Sequence, residues 1–172
     1  MGIKYRFDQF FNSLAASPSE QDLAVVDTHL SSPLANLFRQ MSYADQSHSL
    51  RVFSHLFLQG DVEPDILAAA LLHDVGKCRT PLRPWDRAVV VLVRILSADL
   101  ISKWGTSEPR GWRKPFVVYL HHAEWGAQMV DDRGGSECAV YLIRHHQDKV
   151  THKPLDNREM LLQKLQTADG RN

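Results

Sequence analysis

Long apolar runs are missing from this chain of 172 residues. The greasiest stretch, Val89 to Val93, is broken by Arg94, so no segment is long enough to cross a bilayer. The opening residues, Met-Gly-Ile-Lys-Tyr-Arg-Phe-Asp, lack the uninterrupted apolar core of a secretory signal. Arg6 stands where an N-myristoylation signal wants Ser or Thr. Net charge is missing as well: Lys plus Arg and Asp plus Glu number 20 each. Without a basic excess, nothing argues for a long nucleic acid as partner, and no acidic tail argues for a solvating role. Cysteine is scarce. Cys78 and Cys138 alone make no disulfide framework and point to a reducing compartment. Internal repeats and low-complexity tracts are absent too. Together these absences predict a cytoplasmic protein without membrane attachment.

What is present is an ordinary globular composition, 44% hydrophobic, enough for one domain with a substantial core. The chain reads as nearly all helical. Ser17-Pro18-Ser19-Glu20 looks like a helix start, and Ser32-Pro33 opens a second short helix through about Met41. From Tyr43 to Gln59, Leu50, Phe53, Leu56 and Phe57 recur at three- and four-residue steps, and Gly60 ends the segment. Glu63-Pro64-Asp65 starts an Ala- and Leu-rich helix that runs into His73 and is stopped by Gly76. Pro84 to Gly105 has strand-like valines but no internal Gly or Pro, and its length favours one long helix. Thr106 to Gly111 is a loop by composition. Further helices are expected from Lys114 to about Asp131, Ser136 to about His146, and Asp156 to Asp169. The breaks between them are Gly134-Gly135 and Lys153-Pro154. The expected architecture is an all-α bundle of about seven to nine helices. Residues 1–42 form a helical extension packed on a core made by residues 43–172.

His73 and Asp74 stand side by side at the end of the apolar run Leu71-Leu72-His73-Asp74-Val75-Gly76-Lys77. A buried Asp must be paired or metal-bound, so this dipeptide is a poor way to build a core and a good way to hold a divalent cation. Taken singly, the other candidates have plain explanations. His48 is a lone helical histidine, Lys77 a charge at a helix end, and Asp169 an acid near a chain end. His121-His122 and His145-His146 are doublets on helical segments. Neighbouring side chains diverge by about a hundred degrees on a helix, so both members reach one metal only where the helix ends or bends. Jointly the plain explanations strain. An ordered set of His, His-Asp, His, His-His and Asp, each beside inward-facing apolar residues, reads as a metal site. Nitrogen and carboxylate donors without thiolate suit Mn, Fe, Co, Ni, Zn or Mg rather than a structural zinc site. His29, His55 and His152 have no such setting. Cys78 reads as a small buried hydrophobe.

The ordered set resembles the HD superfamily of metal-dependent phosphohydrolases, and within it the branch with a His-Asp-x-Gly signature. His48-x-x-Arg51-Val52 is similar to the family's first-His helix, and His73-Asp74-Val75-Gly76-Lys77 to the signature itself. His122-Ala-Glu-Trp-Gly126 resembles a His-Pro-x-x-Gly element, which favours His122 over His121. His145-His146 resembles its double His, and Ala168-Asp169 its closing Asp. The likeness runs from about Tyr43 to Asn172. Two features depart from it. His145-His146-Gln147-Asp148-Lys149 lacks the Asp-Gly and Gly-Tyr-Pro loop of cyclic-dinucleotide phosphodiesterases, which argues against cyclic di-GMP. The chain also stops three residues past Asp169, so little structure is expected to pin that residue.

The resemblance implies one metal on His48, His73, Asp74 and Asp169. It implies a second on His122, His145 and His146, with Asp74 bridging. Two divalent cations roughly 3.5–4 Å apart can share a hydroxide formed near neutral pH and clamp phosphoryl oxygens. Lys77 would offset charge developing on those oxygens. The implied function is hydrolysis of a phosphomonoester or phosphodiester, with a small, nucleotide-like phosphorylated molecule as partner. Two alternatives share the scaffold: a di-iron oxygenase, and a non-catalytic sensor or interaction module. Specificity is expected in Thr80 to Pro84 and Thr106 to Pro115, where Trp104 and Trp112 flank a loop with Arg110, Arg113 and Lys114. Arg51 reads as an ion-pair partner.

Overall fold

The computed structural model describes residues 17–83, 85, 86, 89, 90, 92, 93, 98–148 and 156–171. The regular elements among them are helical. In chain order they are α1 (Glu20–His29), α2 (Ser32–Gln40), α3 (Tyr43–Leu58) and α4 (Pro64–Leu72), followed by a 3₁₀ segment, Val75–Arg79. Then come α5 (Ala98–Gly105), a 3₁₀ turn at Gly111–Arg113, α6 (Lys114–Asp131), α7 (Glu137–His145) and α8 (Asn157–Asp169).

Polar caps start these helices. Ser19 and Asp22 form a reciprocal capping box on α1. Ser42, Ser136 and Asp156 each accept a backbone N–H in the first turn of α3, α7 and α8. Pro33, Pro64 and Pro115 stand in first turns, where a missing N–H costs nothing. Gly134, at φ +77, breaks the chain between α6 and α7, where the sequence places a turn.

Helix α4 is the axis of the fold. Ile66, Leu67, Ala69, Ala70, Leu71 and Leu72 are all buried, because α4 packs against α1, α2, α3, α7 and α8 at once. A helix that is apolar all round must be enclosed in this way. Val26 and Leu30 of the first helix region and Leu34, Leu37 and Phe38 of α2 share one buried cluster with α3, α4, α7 and α8. A smaller cluster of Val90, Ile101 and Phe116 joins α5 to the start of α6.

One boundary differs from expectation in a way that matters. The helix leading to the His-Asp pair ends at Leu72, before His73, and Gly76 does not stop it. Gly76 lies inside the 3₁₀ segment and presses against α6: a Cβ there would lie 2.0 Å from the His122 carbonyl oxygen and 2.6 Å from the Gly126 nitrogen. Its missing side chain serves contact rather than termination. Of the long helix expected over Pro84 to Gly105, residues 85, 86, 89, 90, 92, 93 and 98–105 are helical; the others lie outside the described residues. The Lys153-Pro154 break, His152 and residues 1–16 also lie outside them.

Candidate metal centre

The centre is built around the end of α4. His73 is the C-cap of that helix, and Asp74 has already left it, with φ −95 and ψ 1. Because the chain turns here, two adjacent side chains face the same interior, which an unbroken helix forbids. His73 and Asp74 are 1% and 4% exposed. Helix α3 brings His48, α8 brings Asp169, α6 brings His122 and the end of α7 brings His146.

These side chains fall into two groups of three whose donor atoms lie close enough to hold an ion: His48, His73 and Asp169, and Asp74, His122 and His146. In the first, His48 Nε2 is 2.8 Å from Asp169 Oδ1 and 3.3 Å from His73 Nε2. His73 Nε2 is 3.6 Å from Asp169 Oδ1 and also 3.6 Å from Asp74 Oδ2. The other Asp74 oxygen, Oδ1, is 3.3 Å from His122 Nε2. The His73 ring lies 5.2 Å from both the His48 ring and the His146 ring, joining the groups.

The orientation of three imidazoles is fixed by backbone carbonyls. His73 Nδ1 meets the Ala70 carbonyl at 3.0 Å, and His146 Nδ1 meets that of Ile143 at 2.7 Å. His122 Nδ1 meets the carbonyls of Val118 and Tyr119, each at 3.0 Å. A carbonyl can only accept, so Nδ1 carries the proton in each ring. Nε2 is left to face inward, the arrangement that metal-binding histidines use. His122 Nε2 is fully buried and has no hydrogen-bond partner. It stands 3.3 Å from Asp74 Oδ1, a separation that a cation or a proton between the two makes attractive.

Electrostatics reinforce the geometry. Burial, aided by the neighbouring His73 and His122, pushes the His146 imidazole down to about 3, so it is neutral at ordinary pH. Burial likewise lowers His73, against the opposing pull of Asp74 and Asp169. For Asp74, burial alone would raise the carboxyl, but the Lys77 ammonium, His73 and His122 hold it well below the usual carboxylate range. Asp169 is lowered as well. Burial opposes this, while the hydrogen bond from His48 and the nearby His73 prevail. Neutral imidazoles and ionised carboxylates are the forms that bind metal.

His145 and His121 lie outside both groups. The sequence expectation gave His145 to the second metal, but its Nδ1 is paired with Asp148 Oδ2 at 2.6 Å, and its ring packs on Tyr141. The cause is helical geometry: His145 is the last residue of α7, so only the following His146 turns inward. His121 stacks on Trp125 and bonds the Gly105 carbonyl. Helix α6 runs unbroken through the doublet, so one member faces in and the other out. Lys77 places Nζ 2.5 Å from Asp74 Oδ2. Asp169, despite its place near the end of the chain, ends a helix anchored by buried Leu161, Leu162, Leu165 and Ala168.

One buried acid went unnoticed in the sequence. Asp45, 4% exposed, sits one turn before His48 and turns Oδ1 toward Lys77 Nζ at 3.9 Å. Its place three residues after Ser42 reads as a capping box, which conceals any second task. The loop cluster is packed rather than splayed. Trp104 meets Trp112 and Phe116 edge-on at 5.2 and 5.1 Å, and Lys114 bonds the Pro81 carbonyl at 2.6 Å.

A family model of the HD domain matches residues 46–169, about seven tenths of the chain. The chain belongs to the HD-domain family. The match opens two residues before His48 and closes on Asp169, so both groups of the centre lie within it. This HD-domain chain therefore shares the all-α architecture of a superfamily of metal-dependent hydrolases. No curated protein and no solved structure matches it. Among the described residues, no helix is long and apolar enough to cross a membrane.

Proposed function

We propose that this HD-domain chain is a metal-dependent phosphohydrolase acting on a phosphomonoester or phosphodiester of a small, nucleotide-like molecule. The observation that carries the reading is the pair of triads converging on His73 and Asp74, with the His122 Nε2 orphaned and buried between carboxylate and imidazoles. His48, His73 and Asp169 would hold one divalent cation, and Asp74, His122 and His146 another. Sulfur takes no part, since neither cysteine belongs to a triad and burial raises the Cys78 thiol. A donor set of nitrogen and oxygen suits Mn, Fe, Co, Ni, Zn or Mg. Bound there, divalent cations supply Lewis acidity, lowering the pKa of water toward neutrality and neutralising phosphoryl oxygens.

The chain's own residues do the rest. The Ala70, Val118, Tyr119 and Ile143 carbonyls keep three imidazoles aimed inward without reorganisation at the moment of reaction. Lys77, partly exposed at the rim, has an ammonium that can offset charge on the phosphoryl group as the leaving oxygen departs.

The test is a phosphoester panel assayed with Mn, Co, Ni, Fe, Zn and Mg, run beside elemental analysis of the purified protein. Asp74→Ala is expected to lose bound metal and turnover together. Full activity in Asp74→Ala would overturn the reading, as would an inert wild type that binds none of these cations.

A further inference from the structure

Lys77 is already doing something in the centre, and it conflicts with the task given to Asp74. Of the Asp74 oxygens, Oδ1 faces His122 at 3.3 Å and Oδ2 faces His73 at 3.6 Å, so each points to a different triad. A cation held by Asp74, His122 and His146 draws on this carboxylate. Yet Oδ2 is held by the Lys77 ammonium at 2.5 Å. An ammonium and a divalent cation compete for one carboxylate oxygen, so Lys77 has to release it. A partly buried ammonium released without a partner is unfavourable, and a second carboxylate removes that difficulty.

Asp45 provides that carboxylate. Its Oδ1 is 3.9 Å from Lys77 Nζ, just beyond hydrogen-bond reach. Its Oδ2 accepts the Ser42 hydroxyl at 2.6 Å, and Asp45 N donates to the same hydroxyl, which fixes the carboxylate plane. Four bonds of the lysine side chain rotate, so a swing of roughly an ångström moves Nζ from one acid to the other without moving the backbone. An acid that only capped α3 would have no need of burial; Asp22, which has the same place on α1, stays partly exposed.

We propose that Asp45 is a positioning residue, the second seat of the Lys77 ammonium. Lys77 stands in for a cation on Asp74 in the metal-free protein and transfers to Asp45 when cations enter. There it stays at the rim of the centre. The proposal rests on the metal-dependent reading above.

The test is a double-mutant cycle read by Co(II) binding, followed by the visible absorption of the ion and by calorimetry. The chains are wild type, Asp45→Asn, Lys77→Met and the double variant. Asn keeps an acceptor for Ser42 and so preserves the cap. Asp45→Asn alone is expected to weaken Co(II) binding about tenfold, because Lys77 is left with nowhere to go. In the Lys77→Met background the same change is expected to have no effect. Lys77→Met alone should tighten binding, since the competing cation is gone. If Asp45→Asn weakens binding equally in both backgrounds, the carboxylate acts only through its field and the proposal falls while the metal reading stands. If Asp45→Asn has no effect in the presence of Lys77, the proposal falls too. A wild type that takes up no Co(II) overturns both. Should Lys77→Met fail to fold, as judged by circular dichroism, Lys77→Gln supplies the same comparison.

Discussion

His145 and His146 are neighbours in sequence with opposite surroundings. His146 is 5% exposed with Nδ1 on a carbonyl, whereas His145 is half-buried and paired with Asp148. His146→Ala is therefore expected to lose the cation of the second triad, and His145→Ala to keep full metal content, both measured by elemental analysis after dialysis against Mn(II). Equal losses would contradict the assignment. The doublet was visible in the sequence, but its inward member depends on whether α7 ends one residue earlier or later, which composition does not reveal. Protonation gives a second prediction at this scale. His73 and His146 are depressed in the folded chain, while the unfolded chain takes up those protons near 6.5. From about pH 6.5 down to about 3 the unfolded state binds more protons, so the metal-free protein should lose stability steadily across that window. The depressed acids Asp74 and Asp169 extend the loss only below about 3.8. Denaturant melts from pH 7.5 to 4.5 in a chelator check this; a flat profile would contradict it.

The 3₁₀ segment that follows α4 meets helix α6 through their glycines, and that contact sets the spacing between Asp74 and His122. Gly76 faces the His122 carbonyl and Gly126 nitrogen, and a Cβ on Gly126 would meet the Gly76 nitrogen at 3.1 Å. Gly76→Ala must push α6, and with it His122, away from Asp74. Overpacking of this kind costs about 1–3 kcal/mol, and metal affinity should fall with it. Gly134→Ala is the contrasting case. Its φ of +77 disfavours Ala by about 1 kcal/mol, but nothing lies within 4 Å of the added carbon, so metal affinity should hold. Urea melts and Co(II) titration of the two variants separate strain from site geometry. Most helices were legible from opening residues and apolar spacing, as Ser32-Pro33 on α2 and Leu50, Phe53 and Leu56 on α3 illustrate. Gly76 was read as a stop signal because sequence shows that a side chain is missing and not what fills the space.

The whole chain is arranged so that five helix ends or faces carry donors to one interior point, and this makes folding and metal binding mutually dependent. Acids and imidazoles gathered without a cation are a stability cost that bound metal removes. At a hundredfold excess over Kd, metal is expected to stabilise the native state by about 2.7 kcal/mol, raising Tm by roughly 5–10 °C for a domain of this size. Differential scanning calorimetry with Mn(II) against chelator measures this, and an unchanged Tm would count against a resident metal. The convergence of His48, His73, Asp74, His122, His146 and Asp169 was foreseeable from their order along the chain. Asp45 was not, because its burial is a property of the packed bundle. The most direct test is anomalous X-ray scattering from crystals grown with Co(II). The account predicts anomalous peaks within coordination distance of His48, His73 and Asp169 and of Asp74, His122 and His146. An ordered centre with no peak at either triad, the histidine rings placed as here, would contradict it.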